Sequence, residues 1–184
     1  MKQETLLKLK KLLTVTVLIV MAAVLFTVNR RGLISPAGEI DSDYFTDFAL
    51  TDLSGTPFPA ETLRAYTLTV VNVWNPYCTA CLREMPLLDR LAGEYAAKGV
   101  LFLGIEGDAY LYPDEVEKAR TLYAETGAGF TQLLADADFT AGVLPLLENA
   151  YPGTFLLDRQ GRILEFRAGS MEEEDWRAWL DRYL

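Results

Sequence analysis

Leu68-Thr69-Val70-Val71-Asn72-Val73-Trp74 is a nearly unbroken apolar, β-branched run, and the chain's two cysteines follow shortly after it as Cys78-Thr79-Ala80-Cys81. Such a run fits a strand buried on both faces, so the cysteines fall where a strand exits into a helix. Two residues between thiols let both sulfurs lie on the first helical turn, close enough for a reversible disulfide. A helix N-terminus lowers the first thiol's pKa, because unpaired N–H groups and the macrodipole favour the thiolate. The thiolate is the species that attacks disulfides. The pair therefore reads as a redox centre, with Cys78 the more exposed nucleophile and Cys81 the buried resolving thiol. A zinc site would need two further ligands, and the chain has no other Cys and no His. A purely structural bridge between residues three apart would close almost no loop and stabilise little.

The 184 residues fit one domain plus a short segment. Half of them are apolar, enough for a core that needs no staple. The absence of histidine removes Ser-His and Cys-His hydrolases and haem attachment through C-x-x-C-H, since Leu82 follows Cys81. No metal and no cofactor beyond the cysteine pair is expected. Residues 32–184 carry 11 Lys/Arg against 25 Asp/Glu. That surface repels phosphates and argues against nucleic acid; solubility alone accounts for it.

Leu12 to Val28 is a run of 17 residues without a charge. As a helix it would reach about 26 Å, a little under the thickness of a bilayer's hydrocarbon. Lys2, Lys8, Lys10 and Lys11 precede it and Arg30-Arg31 follow, which keeps residues 1–11 in the cytoplasm and the rest outside. The run ends in Leu25-Phe26-Thr27-Val28-Asn29, without the small-residue site of a cleaved leader. The expectation is an uncleaved single-pass anchor at 12–28 in the cell membrane, a linker at 29–43 and a folded domain at 44–184.

Within the domain, Phe45 to Phe58 reads as a short strand or hairpin around Ser54-Gly55, and Glu61 to Tyr66 as a helical turn. Cys78 to about Lys98 reads as a helix with Leu82, Met85, Leu88, Leu91 and Tyr95 along one side and Pro86 kinking it. Val100–Ile105 is a second buried strand, Pro113–Thr126 a helix, Thr131–Leu134 a strand and Asp138–Asn149 a helix. Thr154–Leu157 and Arg162–Arg167 flank the hairpin signal Asp158-Arg159-Gln160-Gly161. Ser170-Met171-Glu172-Glu173 has capping-box spacing and opens a last helix. Strands alternating with helices, then a terminal hairpin and helix, describe an α/β three-layer sandwich with a mixed sheet.

Val70-Val71-Asn72-Val73-Trp74, the Cys78-x-x-Cys81 pair, Glu84-Met85-Pro86, and Pro152-Gly153-Thr154-Phe155-Leu156-Leu157-Asp158 with Gly161 together resemble the thioredoxin superfamily. The resemblance is to its TlpA/ResA-like membrane-anchored thiol-disulfide oxidoreductases, over about residues 45–184. It implies a thioredoxin-like sandwich with an extra N-terminal hairpin. It aligns Pro152 with a cis-proline lying against the cysteines, whose preceding residue, Tyr151 here, pairs its backbone with an extended substrate segment. It matches Glu84 to an acidic residue that helps move the resolving thiol's proton; a surface helix carboxylate is the other reading. Trp74 is expected as a packing platform beside the thiols, and with Tyr77 among the residues near substrate. Asn72 stands where cytosolic thioredoxins carry a buried Asp, and it cannot titrate. Thr79-Ala80, Asn75-Pro76-Tyr77 and Tyr151 depart from the family's usual residues. The tyrosines of Glu106–Pro113 either recognise a partner or pack.

These residues lead to an expected extracytoplasmic protein-disulfide reductase. The oxidised pair would need re-reduction, because that compartment lacks the cytosolic thiol pool; the resemblance implies a CcdA/DsbD-type membrane partner as the electron source. It also implies apocytochrome c, methionine sulfoxide reductase or other exported proteins as targets. The rivals are a disulfide-donating oxidase or isomerase, a non-catalytic binding module, and a thiol peroxidase. The last needs Thr-x-x-Cys, whereas Asn75 precedes Cys78 by three.

Overall fold

A computed structural model describes residues 43–148 and 150–184. The expected anchor at 12–28 and most of the linker lie outside the described residues. Among the described residues no helix is long and apolar enough to cross a membrane.

In chain order the elements are β1 (Ala49–Asp52), β2 (Pro57–Pro59), β3 (Leu68–Trp74), α1 (Thr79–Tyr95), β4 (Val100–Glu106), α2 (Val116–Glu125), β5 (Thr131–Leu134), α3 (Ala137–Gly142), β6 (Gly153–Asp158), β7 (Ile163–Ala168) and α4 (Glu173–Asp181). The sheet runs β2-β1-β5-β4-β3-β6-β7. β3 pairs in parallel with β4 and antiparallel with β6, and all seven of its residues are buried. That explains why its sequence is apolar throughout rather than alternating. β5 continues the parallel set, while β1 and β7 join antiparallel, so the sheet is mixed.

Alternate residues of each strand serve opposite cores. Val70, Trp74, Phe102 and Leu156 pack with Cys81, Met85, Leu88 and Leu91 of α1 and Trp176, Trp179 and Leu180 of α4. Val71, Val73, Leu103, Ile105 and Phe155 face Phe45, Leu63, Phe139 and Leu147. The second layer is thin, built from short 3-10 turns and α3, and the three-layer sandwich is as expected.

Local chemistry explains the turns. Asp52 Oδ1 accepts from the Ser54 and Thr56 amides and closes the β1–β2 hairpin, where Gly55 has φ +85°. Asp158 Oδ1 does the same for Gln160 and Arg162 between β6 and β7. α1 runs through Pro86, which is exposed and costs the helix one backbone donor.

Three expected boundaries are corrected. The segment from Pro113 begins as a 3-10 turn, and α2 starts only at Val116. The helix expected at 138–149 is split into α3 and a 3-10 turn at Leu144–Leu147, because Pro145 cannot continue an α-helical ladder. The capping box does not form: α4 starts at Glu173 with Glu172 as N-cap and no side-chain cap bond. The Met171 amide is taken by Glu84 from the other side of the core.

Gly161 has φ +81°, and a Cβ there would run into the Phe45 carbonyl. The β6–β7 turn thus presses against the segment that enters the domain. Gly161→Ala is expected to cost roughly 2–4 kcal/mol, combining backbone strain and the clash, against about 1 kcal/mol for Gly55→Ala, which has a similar φ but open space. Urea unfolding midpoints of the two variants check this; equal losses would mean the Phe45 contact contributes nothing.

Candidate active site

The cysteines lie where β3 leaves the sheet. Cys78 is the N-cap of α1 and is partly exposed, while Cys81 is fully buried. They form a disulfide with Cα atoms 5.2 Å apart. The Cys81 amide donates to Cys78 Sγ at 3.1 Å. An N-cap position aims unpaired helix N–H groups at the first sulfur, which favours its thiolate once the bridge opens.

The register of β3 with β6 pairs Val73 with Gly153, so its continuation sets Pro152 beside Trp74 at the thiol end of the sheet. The Tyr151-Pro152 bond is cis and Pro152 is buried. The Pro152 carbonyl accepts from the Gly169 amide at 2.7 Å. The Tyr151 main chain makes no hydrogen bond to another described residue.

Trp74, expected near substrate, is wholly buried and offers no surface to one. Its indole Nε1 donates to Gln132 Oε1 at 2.8 Å. Gln132 reaches it across β4 because position 104 is glycine; a Cβ there would overlap the Gln132 side chain. Tyr77 is 65% exposed, and Lys118 Nζ lies 3.7 Å from its ring centroid. Tyr110 and Tyr112 are exposed rather than packed.

Glu84 is not a surface carboxylate: it is 6% exposed. Its Oε1 accepts from the Met171 amide at 2.8 Å and Trp176 Nε1 at 2.9 Å, while Oε2 is buried without a partner. Burial pushes its pKa up, opposed by those two hydrogen bonds and aided by the nearby Glu172 charge. Asn72, which cannot titrate, is spent on Thr154, donating to its Oγ1 at 3.0 Å.

Sequence reasoning passed over Glu106. It pairs in parallel register with Trp74, so both side chains stand on the sheet face covered by α1. It is 2% exposed and accepts from the Asp108 amide. Burial raises its pKa to about 7, with the Asp108 charge adding to the effect and the Asp108 amide opposing it. Asp108 belongs to the same loop, Glu106–Pro113, whose place after a strand puts it at the border of the site, though no motif marks the residue itself. Its Oδ2 accepts from Asn75 Nδ2 at 3.0 Å and its Oδ1 from the Tyr151 hydroxyl at 2.8 Å. The only sequence hint was a Glu-x-Asp at the exit of a strand expected to be buried.

The structure thus gathers Cys78, Cys81, Trp74, Pro152 and Tyr151 at one end of the sheet and buries Glu84 on α1 against Trp176. Comparison with known proteins bears on the family and the fold. Residues 42–166 match the AhpC/TSA family. The chain belongs to that family. It is 30% identical over 173 residues to the thiol-disulfide oxidoreductase ResA of Geobacillus thermodenitrificans, covering 91% of this chain and 92% of that one. It is 32% identical over 174 residues to the thiol:disulfide interchange protein DsbE of Pseudomonas aeruginosa, covering 92% and 89%. The thioredoxin domain of a thiol-disulfide oxidoreductase from Bacteroides vulgatus has the same fold, with a TM-score of 0.59 over 74% of this chain and 91% of that one, at 20% identity. The thioredoxin-like fold and the ResA-like resemblance both stand.

Glu106 generates a pH signature for this family member. A carboxyl whose folded pKa exceeds its unfolded value stabilises the fold most when protonated. That contribution is fully present below about 4.5 and lost as pH rises through about 7. Glu106→Gln, which keeps the acceptor for Asp108, is expected to match the wild type near pH 4 and exceed it at pH 8 by roughly 1–3 kcal/mol. Urea unfolding at the two pH values checks this; an equal difference at both would remove Glu106 as the titrating group.

Proposed function

We propose that this chain is a membrane-anchored, extracytoplasmic thiol-disulfide oxidoreductase of the ResA/DsbE type, working as a protein-disulfide reductase. The observation that carries the reading is the pairing of a partly exposed Cys78 at a helix N-cap with a fully buried Cys81.

In the reduced enzyme, the Cys78 thiolate attacks one sulfur of a substrate disulfide. A Cys78–substrate bond forms, and the other substrate sulfur leaves as a thiolate that takes up a proton. Cys81 then loses its proton and attacks Cys78 Sγ, releasing the second substrate thiol. The substrate gains two electrons and two protons, and the Cys78–Cys81 disulfide remains. Glu84, one turn beyond Cys81, supplies a buried carboxyl with an unpartnered oxygen to exchange the resolving thiol's proton. The main chain of Tyr151, unpaired among the described residues and just before the cis Pro152, fits strand addition by an extended substrate segment. Trp74 keeps the packing part of its expected role, behind the thiols.

Carboxyls favour the reducing direction. Glu106, in register with Trp74, and Asp108, bonded to Asn75, stand at the exit of β3, and negative charge there opposes a thiolate, which weakens the pair as an oxidant. Lys118, the cation near Tyr77, is shared with Glu115 at 3.3 Å. Where a peroxidase would need Thr, Asn75 has its side chain committed to Asp108 and to the Tyr77 amide. The uncharged run at 12–28 with four lysines before it supports the anchor. Re-reduction would fall to a CcdA/DsbD-type membrane donor. Substrates would be disulfides of exported proteins such as apocytochrome c or methionine sulfoxide reductase.

The test is the reduction potential of the Cys78/Cys81 couple in the full chain, purified in detergent and equilibrated in thiol buffers. A value of about −270 mV or lower is expected. A value toward about −120 mV would replace the reductase with a disulfide donor. A chain that does not cycle would leave only a binding module. In a second measurement, Cys81→Ser is expected to accumulate a mixed disulfide with a reducible protein substrate, and Cys78→Ser to accumulate none.

A further inference from the structure

Three loops converge beyond the C-terminal end of β3, and one carboxylate joins them. Asp108 Oδ2 accepts from Asn75 Nδ2, whose own Oδ1 accepts from the Tyr77 amide at 3.0 Å, directly before Cys78. Asp108 Oδ1 accepts from the Tyr151 hydroxyl, directly before Pro152. The Asp108 carbonyl holds the Tyr112 amide at 2.9 Å and its amide is held by Glu106, so the carboxylate is fixed from its own backbone. The Gly107 amide donates to the Trp74 carbonyl at 2.8 Å, which pins the loop to the strand exit. A Cβ at Gly107 would come within 2.9 Å of the Tyr151 hydroxyl oxygen, so glycine lets the tyrosine ring lie over this loop.

We propose that Asp108 is a positioning residue for the substrate strand: it fixes the gap between the segment that presents Cys78 and the segment that presents the Tyr151 main chain. Both bonds are charge-assisted and roughly twice as strong as neutral ones, and they act on loops with few other ties. A substrate that reaches the thiols as an extended polypeptide must fit this gap; a disulfide without a backbone need not. The proposal rests on the oxidoreductase reading and on strand addition at Tyr151.

The experiment compares the reduction of insulin with that of cystamine, which has no peptide backbone, using the full chain with dithiothreitol as electron source. The variants are Asp108→Ala, Asp108→Asn, Tyr151→Phe and the double variant Asp108→Ala/Tyr151→Phe. For Asp108→Ala and Tyr151→Phe, kcat/KM on insulin is expected to fall at least tenfold further than on cystamine, with the loss carried by KM. Asp108→Asn, which keeps one acceptor oxygen, should recover part of it. The double variant should be no worse than Asp108→Ala alone, because both remove the same tie. Parallel losses on the two substrates, or losses that add in the double variant, would reduce Asp108 to a structural role. A wild type that reduces neither substrate would instead sink the oxidoreductase reading itself.

Discussion

The pairing of β3 on both of its edges holds the site together. A strand with every residue buried and both edges hydrogen-bonded has no freedom to slide, since a one-residue slip would exchange its two faces between the two cores. Its C-terminal end is therefore a fixed point. Everything that bears on the thiols is measured from it: Cys78 four residues on, Pro152 across from Trp74 on β6, and Glu106 across from Trp74 on β4. The Gln132 side chain under the Trp74 indole, admitted by Gly104, holds the ring in place.

The chemistry of the site is a contest between a helix terminus and buried carboxyls. The N-cap position of Cys78 favours its thiolate. Glu106, its pKa raised by desolvation, stands in register with Trp74 at the same strand exit, where its charge would oppose that thiolate. Its protonation relaxes that opposition, so the electrostatics of the pair depend on β4 as well as α1. Asn72, spent on Thr154, takes no part in this balance.

What was legible in the chain was local. The β3 run, the two turns built on Asp52 and Asp158, the cysteine spacing and the Pro152-Gly153-Thr154 segment each announce themselves within a few residues. What was not legible depends on partners far apart. Glu84 is buried because Trp176 and Met171, some ninety residues further along the chain, close over it. Asp108 meets Asn75 and Tyr151 only because the strand order brings β4 beside β3 and β3 beside β6. Asp138–Asn149 differs from its helical pattern for a smaller reason: Pro145 lies inside it and ends the α-helical ladder.

The outer edge of the sheet carries a consequence of its own. β2 consists of Pro57, Phe58 and Pro59, paired with β1 on its inner side. Both prolines lack the N–H that a further strand would need, so the margin is nearly blind to addition. An enzyme that meets extended, disulfide-bearing polypeptides risks being zipped to them along its own border. Here the β2 border offers such a segment almost no donor to pair with.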